Sequence, residues 1–586
     1  MSGDVPQQTP ARRGYSVFYK GKTLLSNIDP ITQAERIADS IPIQERTLYV
    51  CLSPIYCYGL EKLLKRMADN APNSAVLCIE ADENLYRISQ ENFNTGLIDK
   101  SRLALTNLYE KSALCNFVRQ NWGRRRFRRL HKVCLTGGWQ LFPELYDSLT
   151  ETLQKEIALD WNNALVLAKL GRLYIRNALC NLELLSRYPS LLQFYFGNAP
   201  LLVLGAGPSL DTLLNSLERH FDRKLDKSIR PFRIVCVDTC LLSLKARNIE
   251  PDLVVILESQ HWNLADFIGL GNWIIPAAVD LSALPASAKL SALKPCLFFT
   301  PWTELRLFNR MNKQGLLPLV FPPLGSVGLS AVSIALRMTQ GPVLTGGMDF
   351  SFTLDSYHAR SSPRHLEKLC RQNRFTGLFN TAAFMGAVKL LSKNGRQTLS
   401  NPAMRSYRDM FEQEFAANTR LYDTECAGLP LGIPVLPERE YLALLESQSR
   451  HNSRPGLNAQ PLTLPVPPKK QQLRDFIQSE KESLSSLKNF LSGKTPGEPR
   501  ENQPKEDFSV EKLENLIDEC NYLWAHFPDY AETGGQRPSA QELSAATPQA
   551  ISFLKRLRAE IDPVLRIYET HLKNLSAENS FMCSDK

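Results

Sequence analysis

Between residues 201 and 347 of this 586-residue chain, short apolar runs alternate with helical patterns. Helical stretches at 241–247 and 326–338 fill two of the intervals between the runs. This alternation predicts a mostly parallel sheet, because parallel strands are joined by crossover helices. In such sheets ligands bind beyond the carboxyl ends of the strands. The predicted strands are 201–204, 233–238, 252–258, 273–279, 296–299, 319–321 and 342–347.

The first predicted strand runs directly into a glycine-rich turn, in the stretch LLVLGAGPSLDTLL at 201–214. Gly205 and Gly207 allow the backbone to turn sharply and to approach another molecule closely. Pro208 has a fixed φ, and Ser209 is a residue type that caps helices. Free amides at a helix start favour an anionic group, which suggests a nucleotide or phosphate loop. An ordinary tight strand-to-helix connection is the alternative interpretation.

Polar residues also gather where the other predicted strands end. Because these ends meet at one edge of a parallel sheet, acids, amides, hydroxyls and a histidine are expected on the same face of the domain. We therefore predict a functional cleft at that edge. The residues are Asp238 and Thr239, Glu258 to Asn263, Gly325 and Ser326, and Asp349 with His358.

Composition bounds the class of protein. The chain is 43% hydrophobic and 22% charged, as in soluble globular proteins, and its length predicts three or four domains. It has no secretory or membrane-spanning apolar segment, so a cytoplasmic location without membrane insertion is expected. The 13 cysteines include no CxxC pair, so no structural metal is expected. The basic run GRRRFRRLHK at 123–132 is interpreted as a solvated helix face, without specific nucleic-acid binding.

The expected organisation has a Rossmann-like or sialyltransferase-like α/β domain at its centre. Residues 1–13 are interpreted as a flexible lead. In the N-terminal domain, strands at 48–52 and 75–79 flank a helical stripe, and Glu80 stands where a ribose-binding acid would be. The loop between them has Gly59 as its one glycine, so this degenerate βαβ domain is interpreted as structural. The predicted divisions are 14–143 (N-terminal domain), 144–199 (connecting helices), 200–453 (central domain), 454–470 (proline-rich linker) and 471–586 (C-terminal helical domain).

Four segments of the central domain resemble motility-associated factor proteins. LLVLGAGPSLD, IVCVDTCLLSLKARNIEPDLVVILES, GSVGLSAVSIAL and LTGGMDFSF…YHA occur in the order seen in these flagellin glycosyltransferases, which carry a 6-hydroxymethylpterin-pyrophosphokinase-like domain. The resemblance is most specific over 200–360. It implies transfer of a nonulosonic (sialic-acid-like) sugar from a CMP donor to serine or threonine of flagellin.

The resemblance also implies roles for individual residues. The loop is similar to the nucleotide loop of bacterial sialyltransferases, which places CMP against Gly205, Ala206, Gly207, Pro208 and Ser209. Asp238, Thr239, Gly325 and Ser326 complete the expected nucleotide site. The chain departs from the family pattern at three positions: Glu258 replaces an aspartate, Met348 replaces a glutamine, and Arg360 stands where a small residue is commoner.

Glycosyl transfer from CMP requires a phosphate site, stabilisation of an oxocarbenium-like centre and a base for the acceptor hydroxyl. His358 is the expected base, because an imidazole titrates near ambient pH. Glu258 and Asp349 are the expected catalytic acids, with Asp238 as a further candidate. His261 is the rival base, and Trp262 could stack on the cytosine or the sugar.

Two other functions remain open from the residues alone. A pterin-type pyrophosphokinase would use the same loop and would recruit Asp238, Glu258 and Asp349 to bind Mg²⁺. A non-catalytic motility or assembly protein could retain the fold without the reaction. No cofactor is predicted beyond the CMP-activated sugar as donor substrate, and the residues leave a divalent metal undecided.

Overall fold

The computed structural model of the chain describes residues 5–93, 101–123, 125–187, 191–375, 377, 386–447, 470–492, 510–528 and 537–577. The chain forms two compact units. Unit 1 comprises Met1–Arg172 and Trp524–Ala545. Unit 2 comprises Leu173–Leu523 and Ala546–Lys586. Each unit has its own parallel sheet.

Unit 1 contains a four-stranded parallel sheet, in the order β6-β5-β4-β7, and a small antiparallel sheet of β1, β2 and β3. The predicted βαβ unit is present as β4, α2 and β5. The strands are β1 (Gln7–Pro10), β2 (Tyr15–Tyr19), β3 (Lys22–Thr23), β4 (Thr47–Leu52), β5 (Ala75–Ile79), β6 (Leu103–Thr106) and β7 (Arg129–Val133). The helices are α1 (Pro30–Ser40), α2 (Leu60–Asn70), α3 (Glu83–Asn92), α4 (Lys111–Trp122) and α5 (Pro143–Asn181), which continues into unit 2.

Two sequence-based interpretations in unit 1 were wrong. The segment 1–13 was expected to be a flexible lead, but β1 pairs with β2 along its whole length. The basic run 123–132 was expected to be a helix face, but it enters β7, an edge strand. In each case the partner strand supplies backbone hydrogen bonds that local sequence does not reveal.

The crevice of the unit 1 sheet is filled by the chain itself. The strand order reverses between β4 and β7, which is where an open α/β sheet would bind a ligand. There the Thr136 hydroxyl donates to the Ser53 carbonyl at 2.6 Å, and the Gly137 amide donates to the Leu24 carbonyl at 2.7 Å. Leu24 also belongs to a buried apolar cluster that joins β2 to the loop after β4. The segments that follow β3, β4 and β7 therefore pack against one another in this part of unit 1.

Glu80, at the end of β5, is fully buried. Its carboxylate accepts hydrogen bonds from the Ser53 hydroxyl at 2.7 Å, the Tyr146 hydroxyl at 3.2 Å and the Asp82 amide at 3.2 Å. Burial raises the pKa of Glu80 to about 7, although these hydrogen bonds act in the opposite direction. The acid thus ties β4, β5 and α5 together inside unit 1.

Unit 2 is built on a nine-stranded sheet in the order β13-β12-β11-β10-β9-β8-β14-β17-β18, with every pair parallel. All seven predicted strands of the central domain are present. The strands are β8 (Leu201–Leu204), β9 (Arg233–Val237), β10 (Leu253–Ile256), β11 (Ile275–Asp280), β12 (Leu293–Phe299), β13 (Leu319–Val320), β14 (Val343–Gly346), β17 (Leu421–Thr424) and β18 (Val435–Leu436). A separate hairpin comprises β15 (Val388–Leu391) and β16 (Gln397–Ser400).

The helices of the chain from residue 210 onward complete the architecture. None of the described helices is long and apolar enough to span a membrane. They are α6 (Leu210–Phe221), α7 (Leu241–Lys245), α8 (Pro285–Ala288), α9 (Arg306–Lys313), α10 (Val327–Met338), α11 (Pro363–Arg371), α12 (Pro402–Phe415), α13 (Glu438–Glu446), α14 (Lys470–Leu491), α15 (Val510–Glu519), α16 (Ala540–Ser544, in unit 1) and α17 (Pro548–Ala577).

The order of the large sheet reverses beside β8. Strands β9 to β13 follow one another on one side of β8, whereas β14, β17 and β18 lie on the other side. Chain connections leave in opposite directions at such a point, and ligands bind in the resulting crevice. Helix α10 packs against β8, β9, β10 and β14. The loops that follow β8 and β14 therefore meet at the predicted edge.

The C-terminal helices α14, α15 and α17 group with unit 2, whereas the sequence suggested a separate domain at 471–586. Arg310 on α9 holds two of them through ion pairs of 2.6 Å to Glu480 and 2.5 Å to Glu519. His571 on α17 contacts Glu183 at 3.1 Å. Of the predicted linker 454–470, residues 454–469 lie outside the described residues and Lys470 begins α14.

The buried Glu80 predicts a pH-dependent stability for unit 1. A folded pKa of about 7, against 4.5 in the unfolded chain, means that the stabilising contribution is complete below pH 4.5 and is lost as the pH rises through 7. We expect Glu80→Gln to gain stability relative to the wild type between pH 5 and pH 8, by about 1–3 kcal/mol. Thermal unfolding at both pH values measures this difference.

The control is Glu83→Gln, because Glu83 lies at the start of α3 and forms an exposed ion pair with Arg87 of that helix. The stability difference between Glu83→Gln and the wild type should be nearly the same at pH 5 and pH 8. An equal stability difference for Glu80→Gln at pH 5 and pH 8 would contradict the assignment.

Candidate active site

The loop after β8 is held by the loop after β14. The amides of Gly205 and Gly207 each donate to a backbone carbonyl, of Gly346 and Gly347 respectively, at 2.8 Å. The Ser209 amide donates to Asp349 Oδ2 at 2.7 Å, and the Ser209 hydroxyl donates to Oδ1 of the same carboxylate. Both oxygens of Asp349 are therefore occupied by one serine.

This packing explains the glycines in the turn. A Cβ on Gly205 would lie 2.5 Å from the Gly347 carbonyl oxygen, and a Cβ on Gly207 would lie 2.6 Å from the Asp349 carboxyl carbon. The sequence suggested that these glycines leave room for a nucleotide, but the space beside them is filled by the Gly347–Asp349 loop. A side chain at Gly207 would displace Asp349 before it met a ligand.

The expected phosphate cradle also differs in the structure. Three amides of the loop, those of Gly205, Gly207 and Ser209, already donate within the chain, and Pro208 has no amide hydrogen. Ser209 precedes α6 without a side-chain capping bond, because its hydroxyl is directed to Asp349. The loop amides predicted to bind a phosphate are therefore mostly occupied.

Asp349 lies in a buried polar network behind the loop. Burial raises its pKa to about 6, whereas the Ser209 hydrogen bonds and the Lys393 charge lower it. Lys393 forms a buried ion pair of 2.6 Å with Asp423 at the end of β17. Because its oxygens point to Ser209, Asp349 positions the loop, and the expectation that it faces the sugar is not met by this geometry.

His358 lies beside the loop, as the sequence predicted. The neighbouring Ala359 amide donates to the Ala206 carbonyl at 3.0 Å, and the Arg360 amide donates to Asp211 Oδ2 at 2.9 Å. Burial lowers the pKa of His358 to about 4. A hydrogen bond to the Ala206 backbone acts in the opposite direction, and nearby cations lower the pKa further. The imidazole is therefore neutral at physiological pH and can accept a proton.

Buried acids follow the next two strands. Asp238, after β9, accepts from Asn263 Nδ2 at 2.6 Å and from the Thr239 amide at 2.9 Å. Asp266 accepts from the same Asn263 amide group at 3.4 Å, and its other oxygen is buried without a hydrogen bond in the described part of the chain. Burial raises the pKa of Asp238 to about 6 and that of Asp266 to about 7, with repulsion from Glu258 adding to the first and from Asp238 to the second. Glu258, which is partly buried, accepts from the Gln260 amide at 2.9 Å.

Met348 links the loop to the start of α10. Its Sδ lies 2.9 Å from where a Cβ on Gly205 would be, and 2.8 Å from the corresponding point on Gly328. Both glycines thus make room for the Met348 thioether. Gly325, with φ of 66°, and Ser326 lie just before α10 and so reach the same region.

The rival residues His261 and Trp262 are exposed, with their ring centroids 4.0 Å apart. Sequence reasoning missed three charged residues at this edge: Asp266, Arg364 and Lys368. The two cations stand four residues apart on α11, the spacing of one helix face. The spacing of Arg364 and Lys368 in the sequence could have predicted a basic helix face. The fold is needed to show what that face contacts.

Known proteins share this fold and domain. Residues 173–355 match the family described as 6-hydroxymethylpterin diphosphokinase MptE-like. An uncharacterized protein of Treponema pallidum (strain Nichols) is 27% identical over 588 residues, covering 97% of this chain and 96% of that protein. The Maf glycosyltransferase from Magnetospirillum magneticum AMB-1 has a similar structure, with a TM-score of 0.52 at 14% identity over 98% of this chain and 93% of that chain. The domain match supports the MptE-like resemblance over residues 173–355, and the structural match shows a shared fold.

A pair of substitutions tests the positioning role of Asp349. Asp349→Ala leaves the buried Ser209 amide without an acceptor, so we expect a loss of about 1–3 kcal/mol in stability. Asp349→Asn keeps one acceptor for that amide and offers a donor to the rotatable Ser209 hydroxyl, so its loss should be clearly smaller. Chemical denaturation of both variants measures the difference. Equal losses would contradict the role.

Proposed function

We propose that this protein is a glycosyltransferase of the cytoplasm that moves a nonulosonic sugar from a CMP donor to serine or threonine of flagellin. The observation that carries the proposal is the meeting of His358 with the Gly205–Ser209 loop at the reversal point of the large sheet. The shared fold with a Maf glycosyltransferase supports a glycosyltransferase-like role. The CMP donor and the flagellin acceptor rest on the sequence resemblance.

His358 is the proposed base for the acceptor hydroxyl. A pKa of about 4 keeps its imidazole unprotonated at physiological pH, as a proton acceptor must be. The same low pKa makes His358 a weak base when no ligand is bound. An anionic donor bound nearby would stabilise the protonated ring and raise that pKa, so the base strengthens when the substrate is present.

Glu258 is the proposed acid facing the developing positive charge of the sugar. Its carboxylate is partly exposed and has one backbone donor, the Gln260 amide, in the described structure. The charges of Asp238 and Asp266 lie within electrostatic reach of Glu258. This acidic side of the site can stabilise an oxocarbenium-like centre. Asp349 is assigned to positioning instead.

A pterin-type pyrophosphokinase is the second candidate, because the matching family is described by that activity. It would need carboxylates free to bind Mg²⁺. Two of the three acids considered for this role, Asp238 and Asp349, are engaged by donors of the chain itself. The geometry therefore favours the glycosyltransferase.

Ligand-induced stabilisation distinguishes the candidates. We expect CMP to raise the unfolding temperature, with a stabilisation of about 2.7 kcal/mol at one hundred times its Kd. ATP with Mg²⁺ should give little or no shift. A larger shift with ATP and Mg²⁺ than with CMP would favour the kinase, and no shift with either would favour a non-catalytic protein.

The role of His358 is tested by substitution. His358→Ala should retain CMP affinity and lower sugar transfer to flagellin by about 10²–10⁴-fold, the usual effect of losing a positioned general base. His261→Ala is the matched control, because this rival histidine is exposed. Calorimetry and a transfer assay provide the two readouts. Full activity in His358→Ala, together with a loss in His261→Ala, would reverse the assignment.

A further inference from the structure

Helix α11 presents charged residues to the site. The Ser362 side chain caps its start by accepting from the His365 amide. Arg364 lies in the first turn of the helix, and Lys368 lies one helical turn after it on the same face. The charges of both lower the pKa of His358, so both cations lie near its ring.

Lys368 is partly buried, and its ammonium forms no ion pair with a described residue. Its Nζ is shielded from solvent and makes no hydrogen bond in the described structure. It lies 4.1 Å from the ring centroid of Tyr357, whose ring is 5.1 Å from that of His358. Burial lowers the pKa of the ammonium, although the Glu367 charge raises it. A buried charge is costly unless it is paired, so this position favours an anion brought by a ligand.

Arg364 acts electrostatically on residues of both sides of the site. Its charge acts on His358, beside the loop after β8, and on Asp266, after β10. Its ion pair in the described structure is a 3.4 Å contact to Glu367 on its own helix. A guanidinium held so loosely can turn towards an incoming anion, to which it donates in a fork-like geometry.

We propose that Lys368 and Arg364 form the subsite for the anionic group of the donor, in place of the loop amides that the chain already uses. This inference rests on the proposed function for the identity of the donor. Two anionic groups fit the chemistry: the phosphate of CMP, and the carboxylate of the acidic sugar. Both present oxygens that accept charge-assisted hydrogen bonds.

The subsite also links binding to catalysis. The charges of Lys368, Arg364 and His365 all lower the pKa of His358, and an anion beside Lys368 and Arg364 offsets two of them. The imidazole then becomes a stronger base in the complex than in the free protein. The pKa of the ring, followed by NMR with and without ligand, should therefore rise on binding in the wild type.

The test compares binding of CMP, cytidine, free N-acetylneuraminic acid and inorganic pyrophosphate to the full chain. The variant is Lys368→Met, which keeps the length of the side chain over Tyr357 and removes the charge. We expect affinity for the anionic probe to fall about 10–100-fold, the usual cost of one hydrogen bond to a charged group. Cytidine, which has no phosphate, should bind equally to variant and wild type.

Two further variants control for folding. Arg371→Gln removes an exposed cation of α11 that pairs with Glu367, and it should change no affinity. Lys368→Arg restores the charge and should recover most of the binding. A loss of CMP affinity in Lys368→Met that Lys368→Arg does not recover would assign the effect to packing and overturn the subsite.

The outcomes separate this inference from the proposed function. Weaker CMP binding with unchanged cytidine binding supports a phosphate subsite, and weaker binding of the free sugar acid alone supports a carboxylate subsite. Unchanged binding of all the anions overturns the subsite and leaves the CMP donor standing. If the wild type binds no CMP, the proposed function fails. The affinity for pyrophosphate then tests the subsite by itself. Weaker pyrophosphate binding by Lys368→Met supports the subsite, and unchanged pyrophosphate binding overturns it.

Discussion

The hydrogen bonds between Ser209 and Asp349 join two loops that are far apart in sequence. They span 140 residues and lie where the order of the large sheet reverses. With both oxygens of Asp349 taken up, the Gly205–Ser209 loop has one defined path, and Gly207 lies too close to the carboxylate to carry a side chain. The position of Ala206, and through it of His358, follows from this contact. Because the loops after β8 and β14 are hydrogen-bonded to each other, the site is preorganised before a ligand binds.

The charged residues on the two sides of the Ser209–Asp349 contact have opposite signs. Acidic groups lie after β9 and β10, with Asp238 and Asp266 sharing the amide of Asn263. Cations of α11 surround His358, which burial keeps neutral. A donor that carries an anion on one side and develops a positive centre on the other matches this distribution. In unit 1 the residues after β3, β4 and β7 contact one another at the corresponding position.

The sequence predicted what depends on local pattern and missed what depends on distant partners. The seven predicted strands of the nine-stranded sheet are all present, because each is an apolar run bounded by loop residues. The turn at Gly205–Ser209 was located correctly, but its contact with Asp349 was not, since no local signal connects them. Among the described residues the Lys368 ammonium makes no hydrogen bond, and this depends on packing that no local pattern predicts. The pairing of Gln7–Pro10 with Tyr15–Tyr19 could likewise not be predicted, because the first strand is polar and exposed.

Hydrogen exchange with and without CMP, followed by mass spectrometry across the whole chain, reports on the large-sheet site and on unit 1 in one experiment. The account predicts slower exchange in peptides that cover the Gly205–Ser209 loop and residues 357–368. Exchange in the loop after β4 of unit 1 should not change. Slower exchange confined to unit 1, or CMP binding without any protection around Ser209 and His358, would contradict the account.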